Sequence, residues 1–242
     1  MRNFLALTRR ELGVYFVSPM AYIILTALLL LVGRTFVGSM AMRSASQMPI
    51  DYRETLQFLV ILIVMTSPLV TMRLIAEEKN KGTLEIILTA PISDAAFVLA
   101  KFVAAMTLLV YLLAPTVGYI VIVSRYGPVD VGAVVCGYLG ILLLGAVLYS
   151  IGLFISSLCS SQITAGVLTF SIAILPVMAS MQMATLDENS ALRPILAYVD
   201  LTVNFADFLK GVVDRTRFVY LVSVVGFFLF LTTRVLESRR WR

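Results

Sequence analysis

Long apolar stretches alternate with short polar ones along most of the chain. Because an α-helix rises about 1.5 Å per residue, about 20 apolar residues are enough to cross a bilayer. The stretches that meet this length are 20–40, 56–74, 96–123, 131–157, 163–183 and 218–236. The pattern therefore predicts an all-α membrane protein with six transmembrane helices.

Composition supports one multi-pass membrane domain over residues 1–242. Hydrophobic residues make up 60% of the chain and charged residues 14%, and the mean hydropathy is +0.97, which is far from the averages of soluble proteins.

Pro68, Pro115 and Pro176 lie inside spans, where they predict kinks that do not end the helix. Cys136 and Cys159 lie near opposite ends of one predicted helix, so an intrachain disulfide is not expected.

The fourth span is rich in glycine. Because small residues let helices approach closely in lipid, this span is predicted to be buried in a bundle or a dimer interface. The glycines are at positions 132, 137, 140, 145 and 152.

Residues 1–18 have an amphipathic helical pattern. Phe4, Leu5, Leu12, Tyr15 and Phe16 share one face, and Arg2 and Arg9 lie opposite. This suits a connecting helix in the headgroup region, although a plain extension of the first span is an alternative interpretation. Ser18-Pro19 marks a break or a new helix start.

The distribution of basic residues predicts the orientation. With both termini in the cytoplasm, the inner side carries 11 Lys and Arg against 8 outside, and 6 acidic residues against 8. Residues 184–217 then form the largest external segment, with Phe205, Phe208, Leu209, Val212 and Val213 at helical spacing. This segment is interpreted either as a re-entrant or interfacial lid or as a connector that lies on the membrane.

Several kinds of chemistry are missing from the sequence. The chain has no histidine, which excludes HExxH zinc proteases and histidine-ligated metal or haem sites. No carboxylate lies in the middle of a span, so the usual carrier of proton or sodium coupling is lacking. Arg34 is close enough to the outer boundary for its side chain to snorkel. The chain also has no GxxxxGK[ST] phosphate-binding loop, so an active transporter of this sequence needs a separate ATPase.

The polar loop 76–93 between spans 2 and 3 is the place where such an ATPase is expected to attach. Gly82 allows a sharp turn, Thr83 is a good N-cap, Glu85 suits the first helical turn and Pro91 ends the run. The loop therefore predicts a short cytoplasmic helix.

Leu84, Ile87 and Leu88 form the apolar face of this short helix. An apolar face on a cytoplasmic loop needs a partner groove. The alternative is that the helix folds back on its own bundle or on the membrane surface.

The motif AEEKNKGTLEIILTAP resembles the loop of ABC type-two exporter permeases. The segments RRELGVYFVSPMAYI, PLVTMRLIAEEK, FADFLKGVVD and FLTTRVLESRRW are similar to the gliding-motility and copper-site-maturation branch of that family. Asn204 departs from this branch, where histidine is often found.

The resemblance implies a non-catalytic six-helix permease half. Its expected partners are an ABC ATP-binding subunit, which binds the ATP and magnesium, and a second permease copy or paralogue in the bacterial inner membrane. A periplasmic or large-ectodomain auxiliary protein is a further candidate, membrane lipids are expected, and nucleic acid is not. This chain itself is expected to hold no cofactor or metal. The resemblance implies that nine residues belong to the coupling helix and its flanks: Glu77, Glu78, Gly82, Thr83, Leu84, Glu85, Leu88, Thr89 and Pro91.

Three functions follow as hypotheses. The first is ATP-driven export of a lipophilic or amphipathic cargo, since the spans carry little charge. The second is an ATP-driven force-transmitting or assembly role on a periplasmic partner. The third is a passive channel.

Overall fold

The computed structural model describes residues 2–45, 52–84, 93–126, 129–183, 205 and 207–240. All regular structure in these ranges is helical. The helices are α1 (Arg2–Val17), α2 (Pro19–Ala45), α3 (Arg53–Thr71), α4 (Ala76–Asn80), α5 (Asp94–Leu113), α6 (Val117–Val123), α7 (Val131–Leu158), α8 (Gln162–Met183) and α9 (Arg215–Arg240), and a 3-10 turn (Ala114–Thr116) joins α5 to α6.

Six segments of the described residues are long and apolar enough to cross a membrane, which confirms the predicted fold class. They are Pro19–Arg43, Arg53–Asn80, Asp94–Val123, Val131–Leu158, Gln162–Ala179 and Arg215–Ser238. The second segment contains α3 and α4, and the third contains α5, the 3-10 turn and α6.

The helices α3, α5 and α7 form the centre of the bundle. More than half of the residues in the apolar part of each are buried, against fewer than a third in α2, α8 and α9. The helix α7 packs against α3, α5, α8 and α9, and α1 packs mainly along α5. The core is therefore built from the second, third and fourth spans.

The glycines of α7 allow this close packing. A Cβ atom added at Gly140 would lie 2.8 Å from the Cβ of Phe208, and one at Gly152 would overlap Thr71 of α3. The predicted burial of this glycine-rich span is confirmed.

The proline and cysteine predictions also have clear outcomes. Pro68 and Pro176 lie within continuous helices, and Pro115 lies in the 3-10 turn between α5 and α6, so none of the three ends its span. Cys136 and Cys159 are both free thiols.

The Ser18-Pro19 pair begins a new helix. The Ser18 hydroxyl accepts a hydrogen bond of 3.3 Å from the Met20 backbone N–H, and Pro19 is the first residue of α2. Serine at the N-cap followed by proline is a favoured helix start. The chain direction can therefore change between α1 and α2.

The side of α1 that the protein buries matches the predicted apolar face only in part, since Phe4 and Tyr15 pack against the core. Leu7, Thr8 and Glu11 are buried, whereas Leu5 is 65% exposed. The reason is that α1 packs along α5, where a lysine attracts Glu11. The location of α1 in the headgroup region stays a prediction.

Most of the predicted external segment, residues 184–204 and 206, lies outside the described residues. Among the rest, Phe205, Phe208 and Leu209 are buried, whereas Val212 and Val213 are exposed. Phe208 packs against α7, so part of the predicted apolar face contacts this chain's own bundle. The two interpretations of this segment, a lid or a connector, stay predictions.

Candidate functional site

The start of the loop between α3 and α5 is attached to the end of α7. The backbone N–H groups of Ile75 and Ala76 each donate a hydrogen bond of 3.0 Å to the Ser156 hydroxyl oxygen, and that hydroxyl donates to the Met72 carbonyl at 3.4 Å. The first N–H groups of a helix have no partner within the helix, so Ser156 satisfies the start of α4 from another span.

A lysine of α4 binds the same end of α7. The Lys79 ammonium donates to the carbonyl oxygens of Ser157 at 2.7 Å, Leu158 at 3.3 Å and Cys159 at 3.0 Å. Carbonyl groups at a helix C-terminus lack partners and carry partial negative charge, which favours a cation there. We call the bonds formed by Ser156 and Lys79 the loop anchor.

A buried group of charges joins the loop to α1 and α5. The Lys101 ammonium of α5 lies 3.1 Å from a carboxylate oxygen of Glu11 in α1 and 3.0 Å from one of Glu78 in α4. Arg10 approaches the other oxygen of Glu78 at 3.7 Å. The exposed fractions of the side chains are 2% for Lys101, 9% for Glu11 and 11% for Glu78. We call these four residues the loop-base charge cluster.

The loop-base charge cluster balances its formal charges, with two carboxylates against one ammonium and one guanidinium. The Lys101 ammonium also lies 5.0 Å from the centre of the Phe97 ring, which offers a cation–π contact. A buried charge without partners costs several kcal/mol, so Lys101, Glu11 and Glu78 depend on one another, whereas Arg10 is 52% exposed and depends less on the cluster. The cluster therefore holds α1, α4 and α5 in one arrangement.

Five of the predicted coupling residues lie in the described part of the chain. Glu77 forms an ion pair of 2.6 Å with Lys81, four residues later on the surface, and Glu78 belongs to the charge cluster. Gly82 has φ of +68°, which confirms the sharp turn.

The position of Thr83 differs from the predicted N-cap, and Leu84 follows one of the two interpretations of the loop. Thr83 and Leu84 are already helical, and the Thr83 hydroxyl donates to the Glu78 carbonyl at 3.3 Å, so Gly82 rather than Thr83 precedes the helix. Leu84 is 5% exposed and belongs to the main core, which agrees with the alternative that the short helix folds back on its own bundle. The coupling role of the predicted residues stays a prediction. The remaining coupling residues lie outside the described residues, together with Ile87: Glu85, Leu88, Thr89 and Pro91.

Five residues of this site were not predicted from the sequence as site residues: Arg10, Glu11, Lys79, Lys101 and Ser156. One signal was present, because Lys101 is the only charged residue between Ala95 and Leu113 in an apolar helix. An ionisable residue inside a span points to a function and to a partner. The identity of that partner required the fold, since Glu11 is 90 residues away.

Comparison with known protein families identifies the family of this chain. A family model described as ABC-2 family transporter protein matches residues 50–210, about two thirds of the chain. The chain belongs to the ABC-2 transporter family. This family, together with six apolar helices, makes the chain a multi-pass permease subunit of an ABC transporter and implies an ABC ATP-binding subunit as its partner. No curated protein matches the chain.

The ABC-2 match includes the loop, Lys101 and Ser156, and it begins after Glu11. The narrower assignment to the gliding-motility and copper-site-maturation branch stays a prediction.

Proposed function

We propose that this ABC-2 permease subunit receives the movement of its ATP-binding partner at the loop 76–93 and transmits it to the membrane helices. The observation that carries this proposal is the Lys101 ammonium, which is shared by Glu11 of α1 and Glu78 at the loop base. The loop is thus tied to α1 and α5 by charge and to α7 by the loop anchor.

The mechanism depends on the stiffness of these attachments. A force on the loop reaches Glu78 and Lys79, which lie next to each other in α4 but bind different helices. Glu78 transmits it to α5 through Lys101, and Lys79 transmits it to the C-terminus of α7. Because α5 and α7 are central helices, their displacement changes the packing of the bundle.

In this proposal ATP and magnesium bind to the partner, and this chain has no catalytic role. The loop faces the cytoplasm, as do both termini, and the membrane is the bacterial inner membrane. This placement is supported by the contacts that bring α1, the loop base and the end of α7 to one end of the bundle. A second permease copy or paralogue completes the pathway, and a periplasmic auxiliary protein is a further candidate.

The proposed cargo is lipophilic or amphipathic, and it moves outward. The described spans are strongly apolar, and their buried lysine, Lys101, is already neutralised by two carboxylates. A wide hydrophilic pore needs a wall rich in polar groups, whereas the described spans carry few charged residues.

Docking is tested by co-purifying the ATP-binding subunit with the permease. Glu85→Lys and Leu88→Glu should each release the ATPase, or leave it bound with hydrolysis that no longer responds to the permease. Glu54→Lys is the matched control, because Glu54 is half-exposed at the opposite end of α3. If both loop variants retain a fully responsive ATPase, the docking site is wrong.

Liposomes distinguish export from the force-transmitting alternative. The complex, reconstituted with fluorescent lipids and lipopeptides, should show movement of cargo that depends on ATP. Capture of a periplasmic protein without any flux would instead favour the assembly role. Flux without the ATPase would favour a passive channel.

A further inference from the structure

A cavity of about 240 Å³ lies where α1 turns into α2, beside the end of α3. Its position matches the boundary between the non-spanning helix α1 and the first apolar span, which begins at Pro19. Its apolar wall consists of Val14, Met20, Ala21, Ile24, Leu69 and Val70. Val14 is 56% exposed and Leu69 is 43% exposed, so the cavity is open to the outer surface of the bundle.

The charges around this cavity do not balance. Glu11 is neutralised by Lys101, and Glu77 is neutralised by Lys81. Arg73 also lines the cavity, and no carboxylate of the described residues lies within 4.0 Å of its guanidinium. The Nε atom of Arg73 is shielded from solvent and has no hydrogen-bond partner. The cavity therefore offers one unmatched cation above an apolar wall.

A second hydrogen-bond donor lines this cavity. The Tyr15 hydroxyl group belongs to a residue of α1 that lines the same cavity. Burial raises the pKa of Tyr15 above its usual value, and the Glu11 carboxylate raises it further. Tyr15 therefore keeps its proton and can donate a hydrogen bond.

We infer that this cavity binds an anionic phospholipid, with its phosphate at Arg73 and the first part of one acyl chain along the apolar wall. A free phosphate ion would use Arg73 but would leave the apolar wall exposed. A lipid without net charge would cover the wall but would leave the positive charge of Arg73 uncompensated. The cavity is smaller than the usual ligand pocket of about 300–1,000 Å³, so it holds only a part of the lipid.

The binding is tested by native mass spectrometry of the purified full-length chain, titrated with phosphatidylglycerol and with phosphatidylethanolamine. Both lipids carry a phosphate, but the ethanolamine ammonium leaves phosphatidylethanolamine without net charge. We therefore expect one phosphatidylglycerol molecule to bind at least about tenfold more tightly, because its net negative charge compensates the positive charge of Arg73. Arg73→Gln should remove this preference, and Arg73→Lys should retain part of it. Arg34→Gln, which changes an exposed arginine of α2, should leave it intact.

A second variant distinguishes a loss of lipid binding from a folding defect. Val14→Glu places a negative charge at the exposed mouth of the cavity, so it should weaken phosphatidylglycerol binding while the melting temperature stays unchanged. The inference is overturned if Arg73→Gln binds phosphatidylglycerol like the unchanged protein, or if both lipids bind equally. It is also overturned if millimolar inorganic phosphate displaces the lipid, because the site would then recognise a free anion. Since no ATPase is present, this outcome is independent of the docking proposal.

Discussion

Replacement of Lys101 by methionine tests whether the loop-base charge cluster is a structural link. Methionine keeps most of the volume but removes the ammonium that lies 3.1 Å from Glu11 and 3.0 Å from Glu78. At these distances each ion pair has a gross attraction of about 5 kcal/mol at an effective dielectric constant near 20. Much of that attraction offsets the cost of burying the charges.

The expected loss of stability comes from the two carboxylates that remain. Glu11 and Glu78 are almost fully buried, and a buried charge that loses its partner typically costs about 3–5 kcal/mol. For a chain of this size, such a loss lowers the melting temperature by on the order of 10 °C. Lys101→Met should therefore unfold clearly earlier in detergent, as measured by intrinsic fluorescence during heating.

The control variant and the variant that should restore stability also replace charged side chains by uncharged ones of similar size. Lys81→Met breaks an exposed pair with Glu77, which is worth only about 0.3–0.5 kcal/mol, so its melting temperature should hardly change. A triple variant, Glu11→Gln with Glu78→Gln and Lys101→Met, removes all three charges and should recover most of the loss. Equal melting temperatures for Lys101→Met and Lys81→Met would refute the reasoning.

The same variants report on coupling to the ATPase. If the cluster transmits movement, the triple variant should be stable but should stimulate its ATP-binding subunit less than the unchanged permease does. Full stimulation by a stable triple variant would show that the cluster only stabilises the fold.

Two further predictions concern the packing of α7. Gly152→Ala should destabilise the protein by about 1–3 kcal/mol and lower its melting temperature, because the added methyl group would overlap Thr71. The control is Gly38→Ala, which should be neutral or slightly stabilising because nothing among the described residues lies within 4 Å of its added Cβ atom. Ser156→Ala should cost about 1–3 kcal/mol and speed hydrogen exchange at the start of α4, since two N–H groups lose their acceptor. Ser150→Ala is the control for the second prediction, because its hydroxyl donates only to the carbonyl three residues earlier in its own helix.

Local pattern accounts for the spans and their interruptions. The number of helices follows from the length of each apolar stretch, because a backbone in lipid must satisfy its hydrogen bonds within the helix whatever its neighbours are. The start of α2 follows from Ser18-Pro19, and the turn at Gly82 follows from a residue that tolerates positive φ. Each of these depends on a few adjacent residues.

The candidate site was only partly predictable. The motif at the loop indicated where a partner attaches, and Glu78 was among the predicted residues. However, the attachment of Glu78 to Lys101 and of Ile75 to Ser156 joins residues that are far apart in the chain. Such contacts depend on how each helix is rotated about its axis, and hydrophobic periodicity is weak in spans that are apolar on every side.

Leu84 is a second residue whose packing partner could not be predicted from local pattern. Its spacing within the loop suggested a face for a partner, but the bundle already buries it. A periodic pattern shows that an apolar residue must be buried, but it does not identify the surface against which the residue packs. The six spans and the polar loop between the second and third could thus be recognised from local pattern, and the missing phosphate-binding loop predicted a separate ATPase. The partners of Lys101 and the unpaired state of Arg73 among the described residues depend on distances between helices that are far apart in the chain, so they required the folded arrangement.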